Sequence, residues 1–224
     1  MSLTEKREIV GRPWRWYGVA IAFAVSITTV IVSGLFGLLD PVFSVNIRND
    51  SGKAIEAIQF DFGNTDMTGL LLAVADIILN HKDPVETLVY WCRKYPAMGY
   101  GDRFVKWFDL PWQEPYNSFG NGAAMRVSPA ALLAKTLDEA LTNADRVTEI
   151  THNHPEGMKG ARATVQAIFL ARLGVAAHDI RSTITLNYGY DLSRSVNDIR
   201  DDYSFYESCQ KTVPQALTLS LIHI

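Results

Sequence analysis

Cysteine is scarce in this chain of 224 residues, which carries only Cys92 and Cys209. That excludes a disulfide framework as the source of stability, and neither residue stands in a zinc-binding spacing. Both read as small buried hydrophobes in a reducing compartment. An excess of positive charge is missing too. Lys and Arg number 21 against 24 Asp and Glu, a formal net charge of -3. Binding a phosphate backbone needs clustered cations, so no nucleic-acid partner is expected. Repeats of fixed period and low-complexity segments are also absent. The length suits one domain with a sizeable core, or a smaller domain with an appendage.

The most local absence is of charge between Tyr17 and Leu39, where the chain reads YGVAIAFAVSITTVIVSGLFGLL. This run raises the mean hydropathy to +0.02. A helix needs about 20 apolar residues to cross the hydrocarbon core, so residues 17–39 are expected to form a transmembrane helix. Lys6, Arg7, Arg12 and Arg15 precede it, which places residues 1–16 as a basic cytoplasmic segment. Trp14, Trp16 and Tyr17 suit the membrane interface. If this helix is native to the protein, the location is the inner membrane. A cleaved signal peptide is the alternative, but the run is long for one and lacks a small-x-small exit.

Residues 40–65 change character. Phe43, Val45 and Ile47 alternate with polar residues, Asn49-Asp50-Ser51-Gly52 supplies a turn, and Ile55, Ala57, Ile58, Phe60 and Phe62 resume an alternating pattern. This predicts a β-hairpin. From Met67 the period becomes helical, with Leu70, Leu71, Val74, Ile77 and Ile78 on one face. Asp83-Pro84 and Ser128-Pro129 are helix starts, and Thr136 with Glu139 makes a capping box. A long helix is expected from about Pro155 to Leu173, ended by Gly174, with further helices at 179–188, 192–200 and from Val213. Residues 66–224 thus read as an all-α domain.

Two polar loops interrupt the helices. In EPYNSFGNGAAMRVSP, Gly120 and Gly122 bracket Asn121, which lets the backbone take positive φ and approach a ligand closely. Amides ahead of a helix start can hold an anion, Arg126 can add a bidentate phosphate contact, and Phe119 or Tyr116 can stack on a base. The plainer reading is a tight turn with Arg126 on a structural carboxylate. In THNHPEGMKG, His152 and His154 flank Asn153 at the start of the long helix, which suits ribose hydroxyls or phosphates. The two histidines could instead bind a metal, though no third ligand stands nearby. His178 and His223 read as structural or surface residues.

Five ordered segments carry a resemblance: YPAMGYGDRFVKWF, PYNSFGNGAAMRVSP, THNHPEGMKGARATVQAIFLAR, GYDLSRSVNDIR and SCQKTVPQAL. Together they resemble the bacterial type of ADP-ribosylglycohydrolase, over about residues 66–219. The resemblance implies an orthogonal, irregular bundle of helices. It also implies removal of ADP-ribose from modified protein side chains through an N- or O-glycosidic bond, with two magnesium ions, in the cytoplasm. The partner is then an ADP-ribosylated protein or an ADP-ribose-containing small molecule. By the same resemblance Ser118, Phe119, Gly120, Asn121, Gly122, Met125 and Arg126 lie along the ADP-ribose. His152, His154, Glu156 and Gly157 border that cleft, with Gly101 and Arg103 at its rim.

The metal pattern of the family is incomplete. Where the resemblance expects Thr-Asp-Asp-Thr, the chain reads FGNTDMTGL, which leaves Thr65 and Asp66 as remnant magnesium ligands. A second acidic motif, Gly-Gly-Asp-Thr-Asp in type, falls beyond Ile224, so the domain reads as truncated at its C-terminus. Glu156 is the acid of the cluster nominated for catalysis. Residues 1–65 read as foreign to the family and of separate origin. The competing functional expectations are a non-catalytic module that binds ADP-ribose or a nucleotide, and an inactive chimeric fragment.

Overall fold

The computed structural model describes residues 44–46, 59–61, 68–96, 100–204 and 206–222. The apolar run at 17–39, the candidate ligands Thr65 and Asp66, and His223 lie outside the described residues. Among the described residues no helix is long and apolar enough to cross a membrane. Strand β1 (Ser44–Asn46) pairs antiparallel with β2 (Gln59–Asp61), Val45 standing opposite Phe60. The segment joining them, Asn49–Gly52 included, lies outside the described residues.

All other regular structure among the described residues is helical: α1 (Thr68–Leu79), α2 (Pro84–Lys94), α3 (Asp102–Asp109), α4 (Gly122–Met125), α5 (Ser128–Leu133), α6 (Leu137–Thr148), α7 (Pro155–Arg172), α8 (Ala177–Tyr188), α9 (Val196–Asp202) and α10 (Cys209–Ser220). Local signals explain several ends. Asp83 accepts from the Glu86 amide at 2.9 Å and Pro84 opens α2, the arrangement expected of an Asp-Pro start. Helix α7 stops where Gly174 takes φ +78°, a conformation cheap only for glycine.

Other ends depart from expectation. Thr136 does cap the Glu139 amide at 3.2 Å, but Glu139 returns to the Lys135 amide rather than to Thr136, so the capping box is split over two residues. Ser128 caps nothing and is buried inside α5, whose N-cap position is Val127. The helix expected at 192–200 starts only at Val196, because Ser195 and Asp198 close a reciprocal capping box there. Helix α3 buries Phe104, Trp107 and Phe108 at helical spacing, a period the reading of the loops passed over, whereas α4 is too short to show one.

The core sits around α7. Ala161, Ala163, Val165, Ala167, Ile168 and Ala171 are buried there, against residues of α4, α5, α6, α8 and α10. Four of these six are alanines, which lets several neighbours approach one axis. A second cluster joins α1, α2 and α3 through Leu70, Leu88 and Cys92 against Phe104, Trp107 and Phe108. Cys92 and Cys209 are both buried and unbridged, as their scarcity implied.

The closest approach in the core is at Gly160, where an added Cβ would stand 2.7 Å from Cys209 Sγ and 2.8 Å from its Cβ. Gly160→Ala is therefore expected to destabilise the domain by roughly 1–3 kcal/mol in urea unfolding. Gly69→Ala, whose new methyl would meet only the Tyr100 hydroxyl at 3.6 Å, serves as the control. It is expected to be neutral or to stabilise by about 0.5 kcal/mol.

Candidate functional site

The two polar loops lie against each other. The Ser118 amide donates to the Thr151 carbonyl at 3.3 Å, and the Asn117 amide donates to Asn153 Oδ1 at 2.8 Å. The turn that makes this possible is at Asn117, with φ 54°, a left-handed conformation that asparagine tolerates better than most residues. On its other side the first loop is stitched to the entry of α10. Cys209 donates its amide to the Phe119 carbonyl at 2.9 Å, and the Asn121 amide reaches the Glu207 carbonyl at 2.6 Å. Gly120 and Ser208 form an isolated antiparallel bridge.

The expected positive φ at Gly120 and Gly122 is not found; among the described glycines only Gly174 and Gly189 have it. Both loop glycines instead lie over His152, at distances where an added Cβ would make ordinary contact with the ring, and at Gly120 a slightly tight one of 3.3 Å with Ser118 Oγ. A Cβ on Gly120 would lie 3.6 Å from His152 Nε2, and one on Gly122 would lie 3.5 Å from the same nitrogen. Gly157 is tighter still, since its Cβ would meet the Ser118 carbonyl at 2.7 Å and the His152 carbonyl at 2.9 Å. Gly157 thus lets the first loop and the start of α7 close on the His152 backbone, while Gly120 and Gly122 lie over its ring.

The side chains divide by direction. Arg126, expected on a phosphate, is 1% exposed and turned inward. Its Nη2 donates to the Val147 carbonyl at 2.9 Å and to Thr151 Oγ1 at 2.6 Å. No structural carboxylate meets it either; a carbonyl and a hydroxyl do the work. Burial lowers its pKa to about 10, which leaves it charged at neutral pH. Phe119 is 45% exposed and sets its ring edge-on to His154 at 5.3 Å, while Tyr116 is half-buried. Arg103 donates to the Tyr116 carbonyl at 2.9 Å and lies over its ring, 5.0 Å from the centroid. Gly101 is the exposed N-cap of α3, so this rim position is backbone alone. Met125 is half-buried at the end of α4, whose N-cap is Asn121.

At the start of α7, His154 Nδ1 accepts from the Glu156 amide at 3.0 Å and caps the helix. Glu156 is ion-paired with Lys159 one turn on, at 2.8 Å. Thr151 was not singled out from the sequence, yet it bonds both Arg126 and His152 Nδ1, the latter at 2.7 Å. A hydroxyl beside a histidine is too common a neighbour to have marked it. His178 is an exposed partner of Asp179, as a surface histidine would be.

A magnesium ion wants several hard oxygen ligands. Among the described residues no group of three His, Cys, Asp or Glu side chains converges on one point. Both imidazole Nδ1 atoms are occupied, and Glu156 is taken by Lys159. The described cleft therefore does not fit a metal cage by itself.

The electrostatics of the cleft are those of a neutral floor beside a buried cation. Burial first, then the charges of Arg126 and Arg103, push His152 down to about 2. The unfolded chain titrates this histidine near 6.5. Between those values the unfolded state holds one proton more, so folding stability is complete above about pH 6.5 and falls with pH below it. One such group contributes about 1.4 kcal/mol per pH unit. His152→Gln is expected to remove that increment from the slope of unfolding free energy between about pH 6 and 4 in denaturant titrations. An unchanged slope would show that His152 is not held neutral.

A family model described as ADP-ribosylglycohydrolase matches residues 10–220. The match begins ahead of the segments that carried the motif resemblance, so it takes in residues 10–65 as well. It also spans both loops, the start of α7 and all of α10. Members are glycosidic hydrolases acting on ADP-ribosyl linkages, and the match covers most of the 224 residues. This chain belongs to the ADP-ribosylglycohydrolase family.

Proposed function

We propose that this chain binds the ADP-ribosyl group of a modified protein side chain, or of a small molecule containing ADP-ribose, where the 118–126 loop meets the start of α7. Its reaction is hydrolysis of the N- or O-glycosidic bond to the acceptor. The observation that supports this most is the convergence of Gly120, Gly122 and Gly157 on His152. Side-chain-free backbone brought this close to a donor nitrogen is what a sugar-phosphate chain needs for close approach. Helix α7, 18 residues long, opens at the same point and turns its positive end towards the loops. Phe119 offers an exposed ring at the mouth for a base.

Each nominated residue takes a role consistent with its surroundings. Ser118, Gly120, Asn121 and Gly122 supply backbone and short polar groups to ribose and phosphates. His152 is a neutral hydrogen-bonding group, and His154 holds the helix end in place. Arg103 steadies the loop through Tyr116, and Arg126 supports it from below. Thr65 and Asp66, outside the described cleft, are the residues that would help hold magnesium, which would supply charge neutralisation there. The ion pair with Lys159 favours a structural role for Glu156 over that of general acid or base.

ADP-ribosylated arginine peptide, incubated with the full chain and magnesium, is expected to release ADP-ribose, and a chelator to suppress that release. Calorimetric binding of ADP-ribose without any release would support the binding module instead. No binding and no release would end the proposal. Glu156→Gln is expected to leave kcat within a few fold, whereas a loss of about a hundredfold or more would restore it as the proton-transfer group.

A further inference from the structure

We infer that Arg126 and Thr151 form a fixed relay that holds His152 in one neutral tautomer, presenting Nε2–H to a ligand oxygen beneath the Gly120–Gly122 turn. The inference rests on the proposed ADP-ribose site and specifies what its floor can recognise.

The proton positions follow from counting donors. A guanidinium can only donate, so its contact with Thr151 Oγ1 at 2.6 Å uses an oxygen lone pair. The threonine hydroxyl keeps a single hydrogen, and Thr151 is fully buried. Its other partner among the described residues is His152 Nδ1, at 2.7 Å. Were Nδ1 protonated, the hydroxyl hydrogen would be buried with no acceptor, which is costly. Nδ1 therefore accepts, and a neutral ring then carries its proton on Nε2.

The doubly protonated ring is opposed for a second reason. Arg126 keeps its charge beside this histidine with a carbonyl and a hydroxyl as partners and no carboxylate. The charged and titratable groups facing this spot are Arg126, Arg103, Tyr116 and Cys92, none of them an acid ionised at neutral pH. Another cation would be placed among like charges. Nε2 meanwhile lies under the two loop glycines, and no acceptor among the described residues is paired with it. It is a donor aimed at the place where a ligand would lie.

The chemistry that fits is an oxygen acceptor, a ribose hydroxyl or a phosphate oxygen, bound without uptake of a proton. Arg126 is thus a positioning residue that acts through Thr151, which explains a guanidinium buried so far from any ligand. Long-range proton–nitrogen NMR correlation on the histidine-labelled full chain tests this directly. The Nε2–H pattern is expected for His152 and should not change between about pH 5 and 8, where a free imidazole titrates. An Nδ1–H pattern, or imidazolium forming in that range, would overturn the relay.

Calorimetry with ADP-ribose supplies the second readout. Thr151→Ser keeps the hydroxyl and is expected to retain both the tautomer and the affinity. Thr151→Val is expected to release the tautomer, so that an Nδ1–H pattern appears on a ring that stays neutral, and to weaken ADP-ribose by about tenfold, the loss of one hydrogen bond. Equal affinity in the valine variant, with His152 still locked, would count against the relay. Should that variant fail to fold, the wild-type spectra still decide. A locked tautomer in a wild-type chain that ignores ADP-ribose would sink the binding site and leave the relay standing.

Discussion

The site depends above all on the absence of one atom, the β-carbon of Gly157. It would stand 2.7 Å from the Ser118 carbonyl and 2.9 Å from the His152 carbonyl, a clash with backbone oxygens of both loops, whereas β-carbons at Gly120 and Gly122 would meet the His152 ring at ordinary contact distance. Backbone cannot retreat as a flexible side chain can, so any larger residue at Gly157 would push the Ser118 segment away from the start of α7. That in turn would release the Ser118–Thr151 and Asn117–Asn153 hydrogen bonds. A packing constraint set by missing side chains therefore sits beneath the polar chemistry.

Beneath it again lies the buried guanidinium of Arg126. Burial of a charge is expensive unless hydrogen bonds compensate. Here the compensation comes from the end of α6 and from Thr151, which ties the loop to the helix that precedes the histidines. One side chain thus fixes the second loop and sets the electrostatic character of the floor. Burial, reinforced by the same charge, keeps the neighbouring imidazole uncharged, so support and recognition are coupled through a single hydroxyl.

Much of this was readable from residues alone. The helix starts at Pro84 and Pro155, the stop at Gly174 and the two loops follow from local chemistry, and local chemistry is what a linear sequence records. The errors fall where the deciding partner is remote. Arg126 looked like a phosphate ligand because its partners, Val147 and Thr151, lie 21 and 25 residues away. The loop glycines looked like turn residues because the imidazole they cover is some 30 residues distant in the chain. Glu139 was assigned to Thr136, and the geometry chose the amide one residue earlier. Helix α4, four residues long within a glycine-rich loop, has too few positions to show any period.

The stitching of the first loop to the entry of α10 has a kinetic consequence. Cys209 Sγ donates to the Gly120 carbonyl across 89 residues, and the neighbouring amides of Asn121 and Cys209 close the same long circuit. Ordering that span precedes any reward from those bonds, and the entropy of closing it grows with its length. The helices around α7 can collapse first on local contacts. The recognition surface is then a late acquisition during folding, complete only once the 206–209 segment has come home. A nascent chain would be compact before it was competent.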